Sequence, residues 1–221
     1  MRSVAARPHP AYCTKVVGHP TNGKPYSRNA FLALEARMHP EHLALLQQAP
    51  ASTHADDTWA RLCCEQALLA IEDGCYAVGA LLVDEAGELL CSARNQVFVS
   101  TYNSAAHAEM QVLDQLESEH AQVDRRGLTL YVSLEPCLMC YGRILLAGIT
   151  CVRYLARDRD GGFALRHGRL PPAWANLASG LAVIQAKAHP YWLNLAERMI
   201  ERLQDRQVLR QRVIQAWRGS R

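Results

Sequence analysis

Between residues 128 and 156 the chain runs through an apolar stretch, a proline-led helical stretch and a second apolar stretch, and nothing else in it constrains the fold as much. Leu128 to Leu134 and Thr150 to Ala156 have strand length, and Pro136 to Ala147 between them has helix length. The same alternation extends outward. Trp59, Leu62, Cys63, Ala67, Ala70 and Ile71 share one helical face behind Asp57 or Thr58 as N-cap, and Gly74 ends that helix. Tyr76 to Val83 reads as a buried strand, Glu85 to Gly87 as a turn and Glu88 to Asn95 as its hairpin partner. A helix over about Ala105 to Glu119, capped by Asn103 or Ser104, a last strand over Leu181 to Ala186 and one long helix after Pro190 complete the pattern. Strands alternating with helices give an α/β fold, a three-layer α/β/α sandwich around a mixed sheet of about five strands.

A chain of 221 residues with 49% hydrophobic and 20% charged residues can bury a full core without staples. That excludes disulfide scaffolds, collagen and disordered tails. The longest uncharged apolar runs, Cys75 to Val83 and Ile144 to Val152, fall well short of the ~20 residues a membrane helix needs. The first residues, with Arg2, Arg7, Pro8 and Pro10, hold no apolar signal region, so the expected compartment is the cytoplasm. Most of the eight cysteines sit in apolar surroundings and are expected to be reduced and inert.

Residues 1–57 hold six of the ten prolines and five of the nine histidines and read as an appendage of unknown role. Short helices are expected there over Asn29 to Arg37 and over Glu41 to Gln48, the second with Pro40 at its first position. The five histidines follow no ligand spacing. Residues 58–190 form the expected core, and residues 191–221 a basic amphipathic helix packed on it. The three segments carry +2, −3 and +4 of the net +3 charge. The basic end fits either phosphate contacts or a solvated helix face.

Two fragments carry chemistry, His107-Ala-Glu109 and Pro136-Cys-Leu-Met-Cys140, each at an expected helix N-terminus. Cys137 and Cys140, at i and i+3, can grip one ion, and His107 and Glu109 can serve the same site only from a first helical turn. Two helix N-termini converging on one point favour thiolates, and two thiolates with one imidazole suit zinc. Three protein ligands leave a fourth tetrahedral position for water, as in catalytic rather than structural sites. A closed structural site would instead need Cys75, Cys91 or Cys151 as fourth ligand.

H-x-E followed by P-C-x-x-C is the signature of zinc-dependent nucleobase deaminases. With Cys75-Tyr-Ala-Val-Gly79, Ala93-Arg-Asn95, Ala106-His-Ala-Glu109, Leu130 to Cys140 and Ala156-Arg-Asp158, the chain resembles the cytidine and deoxycytidylate deaminase superfamily. Bacterial tRNA adenosine deaminases and guanine and cytosine deaminases are the members it looks most like. The resemblance covers about residues 58–204. It implies zinc on His107, Cys137 and Cys140, Glu109 as proton shuttle, and substrate contacts at Asn95 and Ala108. Asn95 also fits a plain turn-forming role, and Glu135 is read as shaping the turn before Pro136.

The resemblance further implies a homodimer with the Pro136 to Ala147 helix near the interface, and deamination of adenosine to inosine in tRNA. Free guanine, cytosine or a nucleoside is the alternative substrate. A non-catalytic RNA-binding partner subunit is the other alternative, and the presence of Glu109 argues against it. Three features depart from the tRNA enzymes. The C-terminal arginines (Arg198, Arg202, Arg206, Arg210, Arg212) lack their paired aromatic and arginine cluster, Tyr141-Gly-Arg143 replaces small residues, and Arg157 to Asn176 reads as a Gly/Pro/Arg-rich loop.

Overall fold

The computed structural model describes residues 36–165 and 170–219. In chain order the regular elements are α1 (Pro40–Gln47), α2 (Asp57–Glu72), β1 (Gly79–Val83), β2 (Leu89–Arg94), α3 (Ala108–Glu119), β3 (Thr129–Leu134), α4 (Leu138–Leu146), β4 (Cys151–Ala156), α5 (Pro172–Ala178), β5 (Ala182–Gln185), α6 (Pro190–Arg198) and α7 (Arg206–Arg218). The strands form one mixed sheet in the order β2-β1-β3-β4-β5. β1 runs antiparallel to both neighbours, whereas β3, β4 and β5 are parallel.

Side-chain alternation along the strands separates two cores. Leu81, Val83, Tyr131 and Leu155 pack with Trp59, Leu68, Trp192 and Leu195 on the α2 and α6 side. Leu82, Leu130, Val132 and Val152 pack with Val112, Leu113, Leu116 and Ile144 on the α3 and α4 side. Fully burying one such side chain contributes about 1.5–3 kcal/mol, so both faces drive assembly. The three-layer α/β/α sandwich around five strands is therefore the observed architecture.

The sequence signals work locally. Gly74 takes a φ of +67° after α2, where its N–H bonds the Ile71 carbonyl at 2.8 Å and the Cys75 N–H bonds the Ala70 carbonyl at 2.8 Å. That is a Schellman end, which favours glycine at its left-handed position. β1 begins at Gly79, three residues later than expected, because the Val78 N–H turns back to the Tyr76 carbonyl at 2.7 Å; α2 packs so close that a Cβ at Gly79 would collide with the Cys63 carbonyl and the Ala67 nitrogen. Tyr76 is left outside the ladder, and Val78 touches it only through its carbonyl, which accepts from the Asn95 N–H at 2.9 Å.

Two other expectations are corrected. The long C-terminal helix is broken. A π-helical segment, Met199–Leu203, follows α6, Gln204 is extended (ψ 143°), and Asp205 starts α7 by accepting from the Gln207 and Val208 N–H groups at 2.9 and 3.0 Å. The region read as a loop from Arg157 holds α5, which starts with Pro172 and packs Trp174 with Tyr141.

The helix expected over Asn29 to Arg37 falls, but for its last two residues, outside the described residues. From Met38 the segment read as an appendage packs on the core, with Met38 and Leu46 buried. Asp56 is buried beneath the sheet. Its carboxylate accepts from Arg153 of β4 at 2.6 and 2.8 Å, from the Tyr131 hydroxyl at 2.8 Å and from the Lys187 N–H at 2.6 Å. Asp57 accepts from the Thr53, His54 and His189 N–H groups at 2.8, 2.8 and 2.6 Å, joining this segment to the start of α6. No helix among the described residues is long and apolar enough to cross a membrane.

Candidate active site

The site lies beyond the carboxyl ends of the parallel strands, where open α/β sheets bind ligands. β3 ends at Leu134, and the Glu135 N–H still bonds the Ala156 carbonyl of β4 at 2.8 Å. The chain then turns at Pro136 into α4, whose N-cap is Cys137, with extended backbone (φ −72°, ψ 174°). Pro136 thus precedes the helix instead of occupying its first position. Cys140 is the third helical residue, the position that an N-cap side chain normally faces. The two sulfurs consequently share one side of the helix end.

α3 likewise starts later than expected. Asn103 and Ser104 do not cap it. The Asn103 side chain instead accepts from the Ala105 N–H at 3.0 Å in a separate turn, so His107 becomes the N-cap (φ −72°, ψ 153°). His107 Nδ1 lies 3.5 Å from Cys140 Sγ and 3.7 Å from Cys137 Sγ. One ligand atom from each of the three residues falls within 4.8 Å of the others. Zinc bonds of about 2.0 Å to nitrogen and 2.3 Å to sulfur at a tetrahedral angle require an N to S separation of about 3.5 Å. The three residues fit that ion as they stand. Among the described residues, Cys75 and Cys91 do not join them.

The electrostatics fit a cation as well. A hydrogen bond with Cys140, reinforced by His107, pulls the Cys137 thiol down to about 4. The same bond, together with burial, pushes the Cys140 thiol up. Burial opposes a proton on His107, but the Cys137 hydrogen bond and the Glu109 charge outweigh it and raise its affinity. Burial raises the Glu109 carboxyl. Glu109 is 3% exposed, and its Oε2 has no hydrogen-bond partner among the described residues.

His107, Cys137 and Glu109 line a cavity of about 330 Å³. Asn95 lines it too. Its Oδ1 accepts from the Val97 N–H at 3.1 Å, so the side chain closes a turn and faces the cavity at once. The Ala108 side chain is fully buried in the core and is not part of the lining, which leaves only its main chain for a substrate contact. Glu135 accepts from the Leu165 N–H at 3.1 Å, a turn-shaping contact, and also borders the cavity.

Sequence reasoning missed the far wall. Tyr76, Tyr102 and Ser104 border the cavity, as do Ile200, Gln204, Arg206 and Val213 from the C-terminal segment. Arg206, Leu209 and Val213 share a helical face, which was a readable signal, but its docking place was not.

The zinc-binding region described for cytidine and deoxycytidylate deaminases matches residues 53–156. The tRNA-specific adenosine deaminase 2 of Xenopus tropicalis is 32% identical over 117 residues, covering 50% of this chain and 68% of that protein. This chain belongs to the cytidine and deoxycytidylate deaminase family. The tRNA-specific adenosine deaminase of Bacillus subtilis is 36% identical over 107 residues, 48% of this chain. The match spans 65% of that relative, a little under two thirds. Guanine deaminase from Nitrosomonas europaea shares the fold, with a TM-score of 0.53 at 22% identity over 74% of this chain and 94% of that one. The match to the zinc-binding region ends at Ala156, so the wall built by residues 200–213 lies beyond that region.

Proposed function

We propose that this chain hydrolyses the exocyclic amine of a nucleobase to a carbonyl with release of ammonia, and that the substrate is adenosine in tRNA, converted to inosine. The observation that carries the reading is a buried carboxylate oxygen without a hydrogen-bond partner among the described residues, Glu109 Oε2, in the same cavity as a histidine and a cysteine of a zinc-compatible triad. His107, Cys137 and Cys140 would hold the ion. Bound there, it would supply an acidified water as nucleophile near neutral pH.

Glu109 does the proton work. Its burial raises proton affinity, so it can take the proton released as oxygen attacks the amine-bearing carbon, pass it to a ring nitrogen and then deliver a proton to the departing ammonia. Asn95 borders the same space and orients the base, with the main chain of Ala108 beside it. The choice of tRNA rests on the names of the relatives.

We assign a homodimer to the same reading. Leu138, Met139 and Leu146 of α4 are 61%, 38% and 64% exposed, and Trp174 and Leu170 extend this apolar face. Contiguous exposed apolar surface marks an interaction site. Light scattering should give twice 24.6 kDa, and a monomer would remove the assignment.

The test is ammonia release by zinc-loaded protein against an adenosine-containing anticodon hairpin, free guanine, cytosine, adenosine and cytidine, with Glu109→Ala as control. Release from the hairpin alone supports the reading. Turnover of a free base or nucleoside alone replaces it with a salvage role, and no release from any of them rejects it.

A further inference from the structure

α7 is attached to the molecule at few points. Leu209 is its one buried residue, while Val208 and Trp217 are 49% and 74% exposed. Yet its inner face, Arg206 with Val213 two turns on, borders the cavity that holds Glu109. Three polar grips hold it there. Gln204, at the bend before the helix, accepts from the Ala77 N–H at 2.9 Å, between two cavity-lining residues. Arg206 pairs with Asp160 at 3.0 Å, both largely exposed.

The third grip is Arg212. It donates to the Gly74 carbonyl at the end of α2 and to the Phe98 carbonyl at 3.4 Å, and its guanidinium carbon lies 4.1 Å from the centre of the Phe98 ring. Phe98 in turn sits between Tyr76 and Tyr102, each 5.8 Å away ring to ring, and both tyrosines line the cavity. One side chain therefore fixes two walls at once, the helix that carries it and the aromatic row against which it stacks. An exposed Asp160 pair contributes little, whereas a cation over a ring with two carbonyl acceptors is a stronger and directional hold.

We propose that α7 is a substrate-binding wall of this cavity and that Arg212 is the positioning residue that sets it, so that substrate affinity depends on α7 while the chemical step does not. The proposal rests on the deaminase reading of the cavity. No residue of α7 contacts the triad or Glu109 by a hydrogen bond, and the docking is weak enough to open locally below the cost of global unfolding. Substrate can enter by such an opening and be held when the wall closes.

The experiment compares the 221-residue wild type, Arg212→Ala, Arg212→Lys and Val213→Asp, all zinc-loaded. Steady-state kinetics are read on whichever substrate the wild type turns over, and amide exchange is followed over residues 206–218. Arg212→Ala should raise KM at least tenfold with kcat within threefold, and speed exchange in α7 but not in α3 or α4. Arg212→Lys keeps a donor for the Gly74 carbonyl without the planar stack and should recover part of the KM. Val213→Asp alters a half-buried surface side chain, so it should fold and raise KM even if Arg212→Ala does not fold. Faster exchange in α7 with an unchanged KM would overturn the proposal, as would a fall in kcat alone. If the wild type releases no ammonia, the deaminase reading fails separately, and calorimetric binding of the hairpin and of guanine decides the wall. Weaker binding by Arg212→Ala upholds it, and equal or absent binding overturns it.

Discussion

The floor and the outer wall of the cavity are built by opposite rules. Under the floor, the helices that present His107 and Cys137 rest on Leu113, Leu116, Val132 and Ile144, all wholly buried. The wall is a helix of 13 residues with one buried side chain, held by a stacked arginine and a bent glutamine. Metal ligation and proton transfer need atoms fixed to a fraction of an ångström, and only a packed scaffold holds them so. Admitting a substrate needs a surface that can give way. In the proposed reading the two demands are met by different parts of the chain, and only the first lies inside the matched zinc-binding region.

The sharpest way to break this contrast is at the floor. Glu109→Gln should lower kcat by about 10²–10⁴ while elemental analysis still finds one zinc per chain, since in the proposed reading the residue moves protons and ligates nothing. Loss of the metal with the activity would make Glu109 a ligand and erase the division of labour. A second test sets one leucine against one valine. Leu113→Ala should cost about 2–5 kcal/mol in urea unfolding, because α3 cannot collapse into the hole. Val208→Ala, on the outer face of α7, should stay within about 0.5 kcal/mol. Similar losses would show that the wall is as tightly packed as the floor.

The smallest effect is expected at Asp57, on neither surface. Burial raises its carboxyl, but the His189, His54 and Thr53 N–H groups and the nearby His54 more than offset that and hold it below its ordinary 3.8. A depressed folded-state value means that this contribution is complete above 3.8 and is lost as pH falls through the folded value. Asp57→Asn should therefore flatten the fall of melting temperature in that acid window and leave KM unchanged. An acid limb as steep as the wild type's would reassign it to other carboxylates.

The sheet was legible because strand-length apolar runs and helical periodicity are short-range facts, and Gly74 marked the end of α2 where the backbone needs a left-handed residue. The triad was legible because its two halves each sit within four residues. The helix starts were misread because Asn103 is a cap-type residue that spends its side chain on a turn of its own. Asp205 is equally cap-type and does start a helix, a signal that an amphipathic run across Met199 to Leu209 obscures. The wall stayed hidden because Arg212 meets Phe98 across 114 residues of chain, and no local pattern encodes that meeting.

The buried pair of Asp56 and Arg153 has a consequence for the order in which the chain assembles. It joins positions 97 residues apart, so the entropy of closing that loop is spent before the contact returns anything. A lone buried charge is costly, and each partner needs the other already in place. Arg153 reaches its site only when β4 is in register with β3, where it stands opposite Tyr131. Residue 56 therefore has a partner only where β3 and β4 are in register, and the anchoring of the segment leading into α2 depends on that pairing.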